Sequence, residues 1–167
     1  MNMIEAVKSC FKKYFQFRGR ARRSEYWYWI LFTVLASVLF TIIDAFLFSN
    51  LAATGIEPTG LIFSLVTFVP GLSVTWRRLH DTNRSGWWYG GAILAFIFAG
   101  IIVGASLIAT GFSYNFGIAG GILAVIFGLL ALVWFITILV FTIQDSQYGE
   151  NRFGPNPKGE GNASVFD

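Results

Sequence analysis

Charge is the scarcest ingredient of this sequence. Only 13% of its 167 residues are Asp, Glu, Lys or Arg, whereas a soluble domain carries about 25% because water must wet its surface. Much of this chain therefore faces something other than water. Histidine and cysteine are scarcer still, with one of each, His80 and Cys10. A three- or four-ligand metal set cannot be assembled within the chain from so few donors. A nucleophilic triad would need His80 as its base, and such close sequence neighbours as Asp81 and Ser85 rarely align with an imidazole in triad geometry. No glycine-rich stretch ends in the Lys-Ser/Thr of a phosphate loop. The reading is therefore non-enzymatic: no catalytic residues, no metal, no cofactor and no nucleic-acid partner.

Long uncharged runs take the place of the missing charge. Tyr26 to Ile43 and Pro58 to Trp76 hold none, and Ser85 to Gln144 is 60 consecutive uncharged residues. A helix needs about 20 apolar residues to cross the ~30 Å hydrocarbon layer, so the longest run holds two helices, with a turn in the Gly, Ser and Asn of 110–117. The spacing predicts an all-α membrane protein, a single domain with a transmembrane bundle of four helices over 26–48, 59–76, 87–109 and 118–143. Barrel strands are shorter and alternate with period 2, which these runs do not. The first run is too long for a cleaved signal peptide, starts after 25 basic and aromatic residues, and has no small-x-small site close behind it. The mean hydropathy of +0.62 and the 18 Phe and 6 Trp agree with a bilayer setting.

Lysine and arginine are absent from the stretches around 51–58 and 110–117, whose one charge is Glu57. All 12 lie elsewhere: Lys8, Lys12, Lys13, Arg18, Arg20, Arg22 and Arg23 before the first span, Arg77, Arg78 and Arg84 between the second and third, and Arg152 and Lys158 after the fourth. Basic residues stay inside, so both termini and the middle loop are expected to be cytoplasmic. Cys10 then reads as a reduced, lipid-facing residue.

Residues 1–25 form a cytoplasmic amphipathic and Arg-rich segment. Met3, Ile4, Val7, Cys10, Phe11, Tyr14 and Phe15 share one side of a helical wheel, and Glu5, Lys8, Ser9, Lys12, Lys13 and Gln16 the other. That pattern predicts an amphipathic interfacial helix preceding the spans, its lysines toward anionic lipid. The middle loop repeats the Arg-aromatic theme, and the tail over 144–167 is expected to be cytoplasmic, with 158–167 polar and mobile.

Three phrases carry a resemblance: Phe17 to Trp27; Arg77-Arg78-Leu79-His80-Asp81 continuing to Ser85-Gly86-Trp87-Trp88; and Asn151-Arg152-Phe153-Gly154-Pro155-Asn156-Pro157. Over nearly its whole length the chain resembles the bacterial inner-membrane family catalogued as domain of unknown function 805, the YhaH-like proteins. The resemblance implies a multi-pass protein of the bacterial plasma membrane and one whole-chain domain, and it implies no activity. Asn83 stands where relatives more often have Gly, so a slightly different turn is expected there.

The arginines Arg18, Arg20, Arg22, Arg23, Arg77, Arg78, Arg84 and Arg152 outnumber the acids Glu25, Asp81, Asp145 and Glu150 by eight to four, so some guanidinium groups should lack a carboxylate. Either they set topology and meet lipid phosphate generically, with Asp81 and Asp145 locking loops together, or they form a defined anion site for a headgroup, with His80 sensing pH if it sits beside a carboxylate. Within the spans, Asp44 is the one ionisable residue and a functional candidate on that ground. Pro70-Gly71 is a candidate kink or break, and Gly100/Gly104 and Gly117/Gly121 are small-xxx-small pairs suited to helix packing or oligomers. Two function classes follow. One is a membrane protein whose basic cytoplasmic rim binds anionic lipid headgroups or a membrane partner; the other is a small oligomeric permease or channel subunit using Asp44.

Overall fold

The computed structural model describes residues 1–52, 54–110 and 114–161, and the side-chain surroundings of all of these except 52, 102, 106, 107, 109, 110 and 114–124. Among the described residues every regular element is a helix, with no strand: α1 Met3–Lys12, α2 Arg23–Leu47, α3 Ser49–Ala52, α4 Pro58–Asp81, α5 Trp87–Thr110 and α6 Tyr114–Ile143. Four of them, α2, α4, α5 and α6, are long and apolar enough to span a membrane. At ~1.5 Å per residue, the 25 residues of α2 exceed the ~30 Å hydrocarbon thickness. The chain divides into two compact units, one of residues 1–84 with 145–167 and the other of residues 85–144.

In the first unit, α1 opens on a reciprocal cap. Asn2 Oδ1 accepts from Glu5 N at 2.8 Å, and Glu5 Oε2 accepts from Asn2 N at 2.9 Å. The helix ends at Lys12, so Tyr14 and Phe15 lie beyond it. Its buried side overlaps only part of the apolar one. Ala6 and Cys10 are fully buried, whereas Ile4 is 64% exposed and Phe15 75%. The small residues let α1 pack on α2 and α4, with Phe11 edge-on to Trp29 at 5.3 Å. The lipid-facing Cys10 of the wheel is thus corrected: the thiol joins Ala21, Tyr26, Trp29 and Val74 in the core. The wheel separates polar from apolar residues but does not tell which apolar ones meet protein and which meet lipid.

α4 begins with Pro58 in its first turn, where the missing N–H is not needed. The preceding Glu57 makes no side-chain cap. Asp44, reaching over from α2 and wholly buried, does so instead: Oδ1 accepts from Thr59 N at 3.1 Å and Oδ2 from Gly60 N at 2.9 Å. Both oxygens therefore meet orphan donors at the positive end of the helix dipole.

Farther along α4, Pro70 removes the N–H that would bond Val66 O. Tyr14 supplies the replacement, its hydroxyl donating to Val66 O at 2.8 Å. Ser73 Oγ then donates to Lys13 O at 2.9 Å and Gln16 O at 2.7 Å. The helix continues through Pro70-Gly71 to Asp81 without a break. It also runs five residues past the expected end of the span, so Arg77, Arg78, His80 and Asp81 are helical and buried, not surface loop residues. Asn83 turns the chain at φ 58°, a left-handed conformation that glycine adopts freely and asparagine tolerates.

In the second unit, Trp88 near the start of α5 stacks on Trp134 of α6 at 5.5 Å and meets Phe141 edge-on at 5.6 Å. Trp134 Nε1 donates to Trp88 O at 2.9 Å. The start of one helix lies by the end of the next, so the pair is antiparallel. Residues 114–117, expected as turn, belong to α6, and 111–113 lie outside the described residues. A methyl at Gly100 or Gly104 would meet no described atom within 4 Å; Gly117 and Gly121 lie outside the residues whose side chains are described.

The cap predicts a specific sensitivity. Asp44→Ala should lower stability by about 1–2 kcal/mol, and Asp44→Asn, which keeps one acceptor, by less, as measured by unfolding in detergent micelles. An unchanged midpoint for Asp44→Ala would contradict the cap.

Candidate functional site

The phrases singled out in the sequence meet in the first unit, at the end of α4. The Arg20 side chain, 1% exposed, spends all five guanidinium donors there. Nε donates to Asp81 Oδ1 at 2.9 Å, Nη1 to Gly149 O at 2.7 Å and Gly154 O at 3.3 Å, and Nη2 to Gln147 O at 2.6 Å and Asp81 O at 3.4 Å. The other Asp81 oxygen accepts from Arg78 Nη1 and from Ser146 Oγ, the latter at 2.6 Å. Gln147 N donates to Asp81 O at 3.1 Å. One buried carboxylate thus ties the Arg-rich N-terminal phrase, the end of α4 and the tail.

Two cations on one acid would be a poor arrangement without further acceptors. The tail's backbone carbonyls supply them, and its glycines make the bends that present them: Gly149 (φ 68°) and Gly154 (φ 126°) take conformations closed to most side chains. The eight-to-four count of arginines to acids considered carboxylates alone and so missed this. Arg22 Nε likewise donates to Pro157 O at 2.6 Å. Arg152 Nη2 donates to Asn83 O at 3.1 Å, with its guanidinium 4.7 Å from the Phe153 ring centre.

His80 lies flat on Phe153, ring centres 3.8 Å apart, with Nδ1 3.1 Å from Gly19 O. Its described contacts include no carboxylate, so the condition set for pH sensing is not met there. Arg23 and Lys158 share the exposed carboxylate of Asp145, at 3.6 and 2.8 Å. The Lys158 ammonium, helped by Ser146 N–H, holds that carboxyl down to about 2, and Lys158 is raised in turn. Within the stretch 158–167, Lys158 is paired and Gly149 N donates to Glu160 O at 3.0 Å, while 162–167 lie outside the described residues. Arg84 is half-buried in the turn after α4, with its N–H on Leu79 O at 2.9 Å. Arg18 is exposed.

Arg77 belongs to a separate buried cluster. Its Nη1 donates to Glu25 Oε1 at 2.8 Å; the same oxygen accepts from Ser9 Oγ at 3.0 Å and lies 3.6 Å from Lys13 Nζ. Nε and Nη2 of Arg77 are buried with no hydrogen-bond partner, a condition that costs on the order of 1–3 kcal/mol per group. Beside this cluster, burial and then the Glu25 charge push the Cys10 thiol up to about 12, against the opposing pull of Arg77 and Lys13. A thiol so shifted is a packing residue at neutral pH. Among the described residues, no group of three or more His, Cys, Asp or Glu could hold a metal.

This same stretch carries the relationship to known proteins. The family described as "Protein of unknown function (DUF805)" matches residues 14–155. The chain belongs to this family. Inner membrane protein YhaH of Escherichia coli (strain K12) is 33% identical over 148 residues, covering 88% of this chain and 91% of the relative. Inner membrane protein YhaI of the same strain is 29% identical over 150 residues, covering 90% and 92%. No solved structure matches. The DUF805 match starts at Tyr14, the residue that completes α4 at Pro70, and ends at Pro155 within the tail that wraps Arg20. In this member of the family, nearly every element of the knot therefore falls inside the matched region.

Removing the shared acid tests the knot. Asp81→Asn leaves Arg20 and Arg78 buried without their counter-charge and should cost about 3–5 kcal/mol, whereas Asp145→Asn at the exposed pair should change little. Equal effects of the two substitutions on unfolding would contradict the placement.

Proposed function

We propose that this chain is a non-enzymatic inner-membrane protein that meets anionic lipid headgroups through the exposed part of its basic rim. The observation that carries this reading is the division of labour among its cations. Arg20, Arg77 and Arg78 are buried in protein, while Lys8, Lys12 and Arg18 are exposed. On α1 the lysines adjoin exposed Ile4 and Phe11, the combination that seats a helix in a headgroup layer. The distribution of Lys and Arg supports cytoplasmic termini and a cytoplasmic rim. The names of the relatives, both inner membrane proteins, support that membrane. Lipids are the partners on this reading. The Gly100–Gly104 pair of α5, where an added methyl would meet no described atom within 4 Å, suits close approach of another membrane helix, from a second copy or from a different protein.

The alternative of a small oligomeric permease or channel subunit draws on a groove of about 450 Å³ lined by Ser37, Thr41, Glu57, Gly60 and Ser64 among others. Its acid is Glu57, held by Thr41 Oγ1 at 3.0 Å, whereas Asp44 is occupied as a cap. That reading therefore has less support.

Native mass spectrometry of the purified protein with phosphatidylglycerol tests the lipid reading. Each basic side chain near an anionic surface contributes about 1 kcal/mol, so replacing Lys8, Lys12 and Arg18 together by Ala should weaken retention by on the order of tenfold or more. Retention equal to that of the unsubstituted protein would remove the reading.

A further inference from the structure

Arg20 and Arg77 are buried alike but served differently. Every donor of Arg20 finds an acceptor, whereas Arg77 leaves Nε and Nη2 unpartnered. Those two groups form one edge of the guanidinium, the fork that takes two oxygens of a phosphate or carboxylate at once. Lys13 and Ser9 from the α1 segment converge on the same place through Glu25 Oε1. Two cations there face a single carboxylate, so the cluster has one positive charge in excess. Cys10 of α1 is buried beside Arg77 and offers its guanidinium only a thiol sulfur, a weak acceptor.

We propose that the Arg77 fork, with Lys13 beside it, is a binding site for a phosphate-type oxyanion, covered by α1 in this structure and opened when α1 lifts. The Lys13 side chain is 33% exposed and marks the approach. The excess charge and the empty fork select an anion with two or more acceptor oxygens. A lipid phosphodiester at the membrane surface and free phosphate share that chemistry. The proposal deepens the lipid-facing reading above by naming a built site within it, and it can fail while the exposed rim still binds.

Cys10 is a native reporter of the site, because its thiol is buried under α1 and becomes reachable when the helix lifts. An anion that enters only the lifted form must increase that form's population. Maleimide labelling of Cys10 in the whole chain is therefore the measurement, made in phosphate-free dodecyl maltoside micelles, in the same micelles with inorganic phosphate, and in the same micelles with phosphatidylglycerol. Labelling on the order of tenfold faster is expected with an accessible phosphate anion. Acceleration by phosphatidylglycerol alone assigns the site to a headgroup, and acceleration by inorganic phosphate assigns it to the free ion as well. Arg77→Lys, which loses the fork, and Lys13→Gln, which keeps the Arg77–Glu25 pair, should each abolish the acceleration, while Arg18→Ala retains it. Equal rates in all three media, or acceleration that survives Lys13→Gln, would overturn the site. Loss of lipid retention on replacing Lys8, Lys12 and Arg18, with Cys10 rates unmoved by any anion, leaves the rim standing and removes this site.

Discussion

The Asp81 carboxylate is the constraint on which the rest of the first unit depends. It sits at the last turn of α4, fully buried, and accepts from Arg20, Arg78 and Ser146. A buried ion pair gains little net stability over an apolar substitute, because desolvation offsets most of the attraction. What it supplies is geometry. Arg20 has a rigid planar fork, so satisfying all five donors leaves few arrangements for the tail around it. The knot thereby fixes where the N-terminal phrase, the end of α4 and the tail must lie.

The N-terminal segment is held by a second device of a different kind. Pro70 deprives Val66 of its helical partner, and in an apolar surrounding an unpaired carbonyl is costly. The repair is not local: Tyr14, 52 residues earlier, donates its hydroxyl to that carbonyl. Ser73 holds the backbone at Lys13 and Gln16, just where α1 gives way to the Arg-rich phrase. A flaw in one helix thus becomes the attachment point of another segment. Asp44 follows the same logic at the other end of α4, caring for orphan N–H groups from a neighbouring helix.

The helices were legible in the sequence because their signal is an absence, and long runs without charge have few other physical readings. The Arg-rich phrases were legible as a set for the same reason, and all three do meet. Their chemistry was less so. Residue counting weighs arginines against carboxylates, but here backbone carbonyls at 147, 149, 154 and 157 take much of the positive charge. The glycines at 149 and 154 were the available signal for carbonyls turned inward. The helical wheel put Cys10 on its apolar side but could not tell lipid from protein as what that side meets, and the small buried Ala6 gave it no signal. Tyr14 and Pro70 were both visible, but no sequence pattern pairs a hydroxyl with a distant proline.

Hydrogen exchange of the tail amides tests the knot most directly, comparing the unsubstituted protein with Arg20→Lys in the same lipid. Lysine keeps the charge but offers three donors in place of a five-donor fork. If the fork organises the tail, exchange at Gln147, Gly149 and Gly154 rises by on the order of tenfold or more, while the amides of α5 and α6 keep their protection. Unchanged protection at those three residues would contradict the claim that this guanidinium holds the tail in place.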